Sequence, residues 1–238
     1  FAAGWGCGQT KDRTPVYTGE PGRAAAMWFV SDVPAVEAVV RPDGPDGQPS
    51  SGLLMIDTGS PLTLTDAKDD VETIYTAEQV EMFGLTFSDL SLLSIDVFSD
   101  GYSFDGLAVI GILGGDLLRF FCPEVDYRNA VGRLHAVCPS PPVTPEDCQT
   151  TYAIPFELLG GGRLMLSGQT TVSVPATRVT FEVSIEDHVV TAVLDSGASA
   201  PALTPELAAL LLDERPQRPR LEGVQVATVN GVVEASLL

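Results

Sequence analysis

The sequence predicts an all-β protein, and three observations carry that expectation. Short apolar runs, alternating or continuous, recur along the chain and are bounded by Gly, Pro, Asp or Ser. Turn-forming residues are abundant, 23 Gly and 18 Pro in 238 residues, without the period of a collagen or the heptads of a coiled coil. Only one segment has the pattern of a sizeable helix.

Taken in order, the apolar runs fall at residues 36–40, 53–56, 85–93, 107–113 and 117–127. They resume at 171–174, 179–185, 189–194 and 224–233. The last run contains Asn230-Gly231, a pair that favours a two-residue hairpin turn because both tolerate positive φ. Arg128-Asn129 marks a turn between strands over 120–127 and 132–137. The helix is expected to start at Thr204, whose side chain can accept from the first turn, with Pro205 at the first helical position and Glu206 beside it. Residues 207–212 supply its apolar body.

Composition narrows the function. A hydrophobic fraction of 45% excludes bulk disorder. With 13 Lys and Arg against 32 Asp and Glu, the net charge of −19 repels phosphate backbones and anionic membranes, so no nucleic-acid partner is expected. No apolar run approaches the roughly 18 residues of a membrane span. The first residues, Phe1 to Gly8, read as the remainder of an export leader. Gly6-Cys7 is similar to a bacterial lipoprotein cleavage site, with Cys7 as lipid anchor, although Trp5 fits that pattern poorly. An exported protein, secreted or in the cell envelope, is the expectation.

One unit occurs twice. Ile56-Asp57-Thr58-Gly59-Ser60 aligns without a gap on Leu194-Asp195-Ser196-Gly197-Ala198, each preceded by an apolar strand and followed shortly by Leu-Thr. Between the copies, residues 139–145 are too proline-rich for a central strand and read as a connection. The expected organisation is a leader or tether over 1–25, a first lobe over 26–138, a linker over 139–150 and a second lobe over 151–238. A lone Asp after an apolar strand is ordinarily a turn residue with local partners. Two copies in one chain suggest instead that a pseudo-twofold axis brings the carboxylates face to face. Such a pair shares one proton, leaving one group to act as base on water and one as acid toward a carbonyl. Gly59 and Gly197 let the backbone come close and donate to the carboxylates, while the Thr58 and Ser196 hydroxyls lock the two loops together.

In these residues the chain resembles the pepsin-like and retropepsin-like aspartic proteases, whose signature is an apolar pair, Asp, Thr or Ser, Gly, then Ser, Thr or Ala. A second element strengthens the resemblance: Ala108-Val109-Ile110-Gly111-Ile112-Leu113-Gly114-Gly115-Asp116 is similar to the apolar-Gly segment, here Ile110-Gly111, that passes beside the catalytic loop in that family and leads into a short helix. The resemblance implies a two-lobed, pseudo-twofold all-β acid protease fold. It implies an endopeptidase in which Asp57 and Asp195 activate water on a polypeptide substrate, without a cofactor or metal, and as a monomer because one chain supplies both motifs. The second lobe is expected to be incomplete, since no counterpart of the apolar-Gly segment follows Asp195 and the chain reads as a fragment. Tyr75 lies in the interval where the family carries its flap aromatic; on its own surroundings it reads as a half-buried strand tyrosine. Ala198 stands where the first copy has Ser60, which removes one hydroxyl donor from Asp195 and makes Asp195 the expected proton holder.

Other chemistries lack their parts. Only His135 and His188 are present, both expected on strands, and there is no Gly-x-Ser-x-Gly or His-Glu-x-x-His. Cys7, Cys122, Cys138 and Cys148 fit no zinc spacing; Cys122 with Cys138, across the 120–137 hairpin, and Cys138 with Cys148 are both open as disulfides. The acidic stretch 96–106 misses the EF-hand spacing, and residues 160–162 read as a glycine turn. A catalytically silent peptide-binding protein on the same fold is the alternative function.

Overall fold

The computed structural model describes residues 14–42, 48–66, 72–98, 102–139, 154–166, 171–217, 219, 221–228 and 231–237. The protein is mostly β; among the described residues there are two helices, Gly115–Leu118 and Pro205–Glu214. It divides into two compact units, residues 1–198 and residues 199–238.

The first unit is built on an 11-stranded sheet. Its central path runs Val16–Gly19, Leu85–Ile95, Leu64–Asp66, Leu107–Leu113, Ser50–Ile56, Val33–Pro42, Ala25–Val30, Val131–His135 and Cys122–Asp126. Thr73–Met82 pairs with both Val33–Pro42 and Leu85–Ile95, and Ser103–Phe104 pairs with Leu107–Leu113. The core is aliphatic and aromatic: Leu54, Leu85, Phe87, Leu113 and Leu134 are almost fully buried in one cluster. Each such side chain contributes about 1.5–3 kcal/mol by leaving water.

The topology that matters for function is the passage of Leu107–Leu113 between two strands. It runs parallel to Ser50–Ile56, with Leu113 beside Ile56, and antiparallel to Leu64–Asp66, with Gly111 beside Thr65. The chain from 57 to 63 therefore bridges over it. Gly111 is required there: a Cβ on it would stand 2.1 Å from the Leu64 carbonyl oxygen, and its φ is +157°. Immediately after this strand comes the helix Gly115–Leu118.

Several expectations are corrected. The run 117–127 is not one strand: Leu117 and Leu118 are helical and the strand begins at Cys122. Part of the stretch expected as a tether is structural, since Val16–Gly19 pairs with Leu85–Ser88 and Tyr17 packs on Phe87 and Phe121 at ring distances of 5.8 and 5.3 Å. Burying that ring outweighs its position near the leader. The Asp126 carboxylate accepts from the Arg128 and Asn129 amides and closes the expected turn. Cys122 and Cys138 form a disulfide with Cα atoms 5.1 Å apart. Cys122 faces His135 in the ladder, not Cys138, which reaches back from beyond the strand end.

The rest of the first unit holds a three-stranded sheet, ordered Glu157–Leu159, Arg178–Ile185, His188–Val193, and a two-stranded one, Gly162–Met165 with Thr171–Val174. Gly160 and Gly161, both at φ +96°, connect these two sheets. Thr177 packs on Gly115 so closely that a Cβ there would lie 2.5 Å from the Thr177 Cβ. In the second unit, helix Pro205–Glu214 is capped as predicted, with the Leu207 amide donating to the Thr204 hydroxyl at 3.3 Å. Leu221–Thr228 and Gly231–Leu237 pair antiparallel. Cys7, Cys148, Asn230, and the linker beyond Pro139 lie outside the described residues. Among the described residues no helix is long and apolar enough to cross a membrane.

Candidate active site

Both Asp motifs lie in the first unit, each at the end of an apolar strand: Asp57 after Ser50–Ile56 and Asp195 two residues after His188–Val193. Strand pairing fixes their origins. The Asp57 amide donates to the Leu113 carbonyl at 3.1 Å, and the Leu194 amide to the Val179 carbonyl at 2.9 Å.

The two loops grip each other through four reciprocal hydrogen bonds. The Thr58 amide donates to Ser196 Oγ, and the Ser196 amide to Thr58 Oγ1, each at 3.0 Å. Thr58 Oγ1 in turn donates to the Leu194 carbonyl and Ser196 Oγ to the Ile56 carbonyl, each at 2.7 Å. Each hydroxyl thus accepts from the opposite loop and donates to the strand end behind that loop, which satisfies both its roles.

That grip sets the carboxyls against each other. A Cβ on Gly59 would stand 2.6 Å from the Asp195 carboxyl carbon, and one on Gly197 would stand 2.4 Å from that of Asp57. Each glycine floor therefore lies against the other loop's carboxyl, a contact only a residue without a side chain permits. The carboxyls themselves lie within hydrogen-bonding reach of one another. No protein-family model matches the chain, and no curated protein matches it.

The electrostatics are not symmetric. Asp57 is half-buried and accepts from the Gly59 and Ser60 amides at 2.8 and 3.0 Å; Asp195 is exposed and accepts from the Gly197 amide at 2.9 Å. Burial first, then the facing Asp195 charge and the carboxyl–carboxyl hydrogen bond, push the Asp57 carboxyl from its ordinary 3.8 up to about 6, against the pull of its two backbone donors. The hydroxyl argument for Asp195 as proton holder does not hold, because the Ser60 hydroxyl donates to the Leu62 carbonyl at 2.8 Å and not to Asp57. Replacing it by Ala198 in the second copy thus removes no carboxylate ligand.

Ile110-Gly111 lies in the strand between Ser50–Ile56 and Leu64–Asp66, where Gly111 pairs with Leu54 and Thr65. The start of the short helix makes hydrogen bonds to the first loop: the Gly115 amide donates to the Ser60 carbonyl at 2.8 Å and the Asp116 amide to the Pro61 carbonyl at 3.2 Å. Tyr75 sits within the paired strand Thr73–Met82, opposite Leu92, with its hydroxyl 3.1 Å from Thr65 Oγ1 and its ring against the core. The structure gives it the surroundings of a half-buried strand tyrosine; the tip of its hairpin, Phe83-Gly84, is remote in register, and Phe83 is buried. Thr63 and Asp116 also stand at this loop; Asp116 ends the apolar-Gly segment, but nothing in the sequence pairs it with Thr63. Among the described residues no cluster of three His, Cys, Asp or Glu side chains is placed to hold a metal ion.

Proposed function

We propose that the protein is an aspartic endopeptidase of pepsin-like or retropepsin-like type, in which Asp57 and Asp195 activate a water molecule against a peptide bond. The observation that carries this is the reciprocal seating of each motif's glycine against the other motif's carboxyl. Two structural aspartates would not need to face each other, because mutual repulsion raises the cost of ionising either one.

The division of labour follows from the asymmetry. Between the two titrations the pair holds one proton, and burial favours Asp57 as its seat. The Asp195 carboxylate takes a proton from water as its oxygen attacks the substrate carbonyl carbon, while Asp57 gives its proton to the carbonyl oxygen. The resulting tetrahedral diol collapses as the C–N bond breaks: the departing nitrogen takes the proton that Asp195 received from water, one diol hydroxyl returns a proton to Asp57, and the new carboxyl group keeps the water oxygen. The enzyme forms no covalent bond to the substrate.

A statine-type peptide, which places a hydroxyl where the diol forms, tests this reading by competition with an unstructured protein substrate. Inhibition of cleavage, with peptide binding that is weakened in Asp57→Asn, supports the dyad. Peptide binding without cleavage assigns the chain to the silent peptide-binding class.

A further inference from the structure

We infer that Asp116 and Thr63 are positioning residues for the carboxyl pair, holding the turn 60–63 so that the Ser60 amide stays on Asp57 Oδ1. The inference rests on the reading of Asp57 and Asp195 as a water-activating dyad.

The contacts form a closed frame around that turn. Thr63 is 5% exposed, and its hydroxyl donates to Asp116 Oδ1 at 2.6 Å while accepting from the Gly114 amide at 3.2 Å. The Thr63 backbone amide also supports the Asp116 carboxylate, and Oδ1 accepts from the Leu117 amide at 2.9 Å. One acidic side chain therefore clamps Thr63 by both its amide and its hydroxyl, and fixes the direction in which that hydroxyl points. From the other end of the turn the Gly115 and Asp116 amides hold the Ser60 and Pro61 carbonyls. Ser60 is thus fixed on its carbonyl side by the helix start, while its amide donates to Asp57 at 3.0 Å. Close packing leaves the frame no slack: a Cβ on Gly114 would lie 2.1 Å from the Leu62 carbonyl oxygen.

A largely buried carboxylate is costly, and burial indeed pushes Asp116 upward, opposed by the Thr63 and Leu117 donors and by the Arg119 charge. A residue needed only to fill space between helix and turn would be better served by Asn or Leu. What the carboxyl adds is a directional acceptor for the Thr63 hydroxyl and the Leu117 amide.

The test compares Thr63→Val, Thr63→Ser and Asp116→Asn with the unaltered chain by two readouts: the titration midpoint of Asp57, followed through its carboxyl carbon by NMR, and kcat and KM on an unstructured protein substrate. Loosening the turn removes an amide donor from Asp57, so Thr63→Val and Asp116→Asn are expected to raise its midpoint by roughly 0.5–1 pH unit. They are expected to lower kcat up to about 100-fold with little change in KM, because geometry and not substrate contact is lost. Thr63→Ser keeps the hydroxyl and restores both values. An unmoved Asp57 midpoint in a folded Thr63→Val or Asp116→Asn chain overturns the inference, as does a Thr63→Ser chain that behaves like Thr63→Val. If the unaltered chain does not cleave, the protease reading fails on its own, and the Asp57 titration still decides the positioning role.

Discussion

Gly59 and Asp195 come from opposite copies of a repeated motif, yet a side chain on Gly59 would meet the Asp195 carboxyl carbon at 2.6 Å, and Gly197 stands in the same relation to Asp57. Repetition in the sequence has become contact in the structure. Because the neighbour in each case is a carboxyl group held by backbone donors, it cannot step aside cheaply.

Gly59→Ala and Gly197→Ala are therefore each expected to separate the carboxyls and abolish activity. The fall in stability should be at least as large as a typical overpacking cost, roughly 1–3 kcal/mol. Denaturant unfolding and a cleavage assay check this. Retained activity in either variant would mean that the two loops are not in contact.

The reciprocal grip has its own signature. Thr58→Val and Ser196→Ala each delete a hydroxyl that accepts from the opposite loop and donates to the strand end behind it. Each is expected to cost about 1–3 kcal/mol, and the double variant less than the sum, since the two hydroxyls serve one frame. A double-mutant cycle by urea unfolding measures the coupling.

Stability should also report the elevated Asp57 carboxyl. Its folded value near 6 lies above its ordinary 3.8, so between those values the folded state binds more protons than the unfolded one. Stability is therefore lost as pH rises through that window. Relative to Asp57→Asn, which does not titrate, the unaltered chain should lose on the order of 2 kcal/mol between pH 4 and 6.5, after allowance for partial exposure. Parallel unfolding curves at the two pH values check the sign.

The Cys122–Cys138 disulfide closes a loop of sequence separation 16 around the hairpin that carries Leu134 into the core. Replacing both cysteines with serine is expected to cost about 2–3 kcal/mol, measured by thermal unfolding with and without reductant. Reductant should affect only the unaltered chain.

Much of this was legible in the sequence because local signals and tertiary placement agree. The two Asp-hydroxyl-Gly units, Ile110-Gly111 with its short helix, and the Thr204 cap all depend on a few adjacent residues. The strand at 25–30 was not legible, partly because the turn after it lacks the usual pairs: Val30 and Val33 flank Ser31 and Asp32, both at positive φ without a glycine. The strand at 16–19 lay in the stretch read as a leader or tether, although Pro21-Gly22 follows it. The asymmetry of the site was hidden for a different reason. Nothing in the motifs says that Asp57 is half-buried and Asp195 exposed, because burial depends on residues far along the chain. Thr63 and Asp116 escaped for the same reason, being joined only when Leu107–Leu113 passes beneath the turn.

The central claim is that the two carboxyls share one catalytic proton. Its most direct test is cleavage of an unstructured protein between pH 3 and 8 by the unaltered chain, Asp57→Asn and Asp195→Asn, with folding verified by circular dichroism. Activity that falls away above about pH 6, where Asp57 loses its proton, and that is absent from both folded variants is the predicted result. Cleavage surviving in either folded variant, or a folded chain inert at every pH, would contradict it.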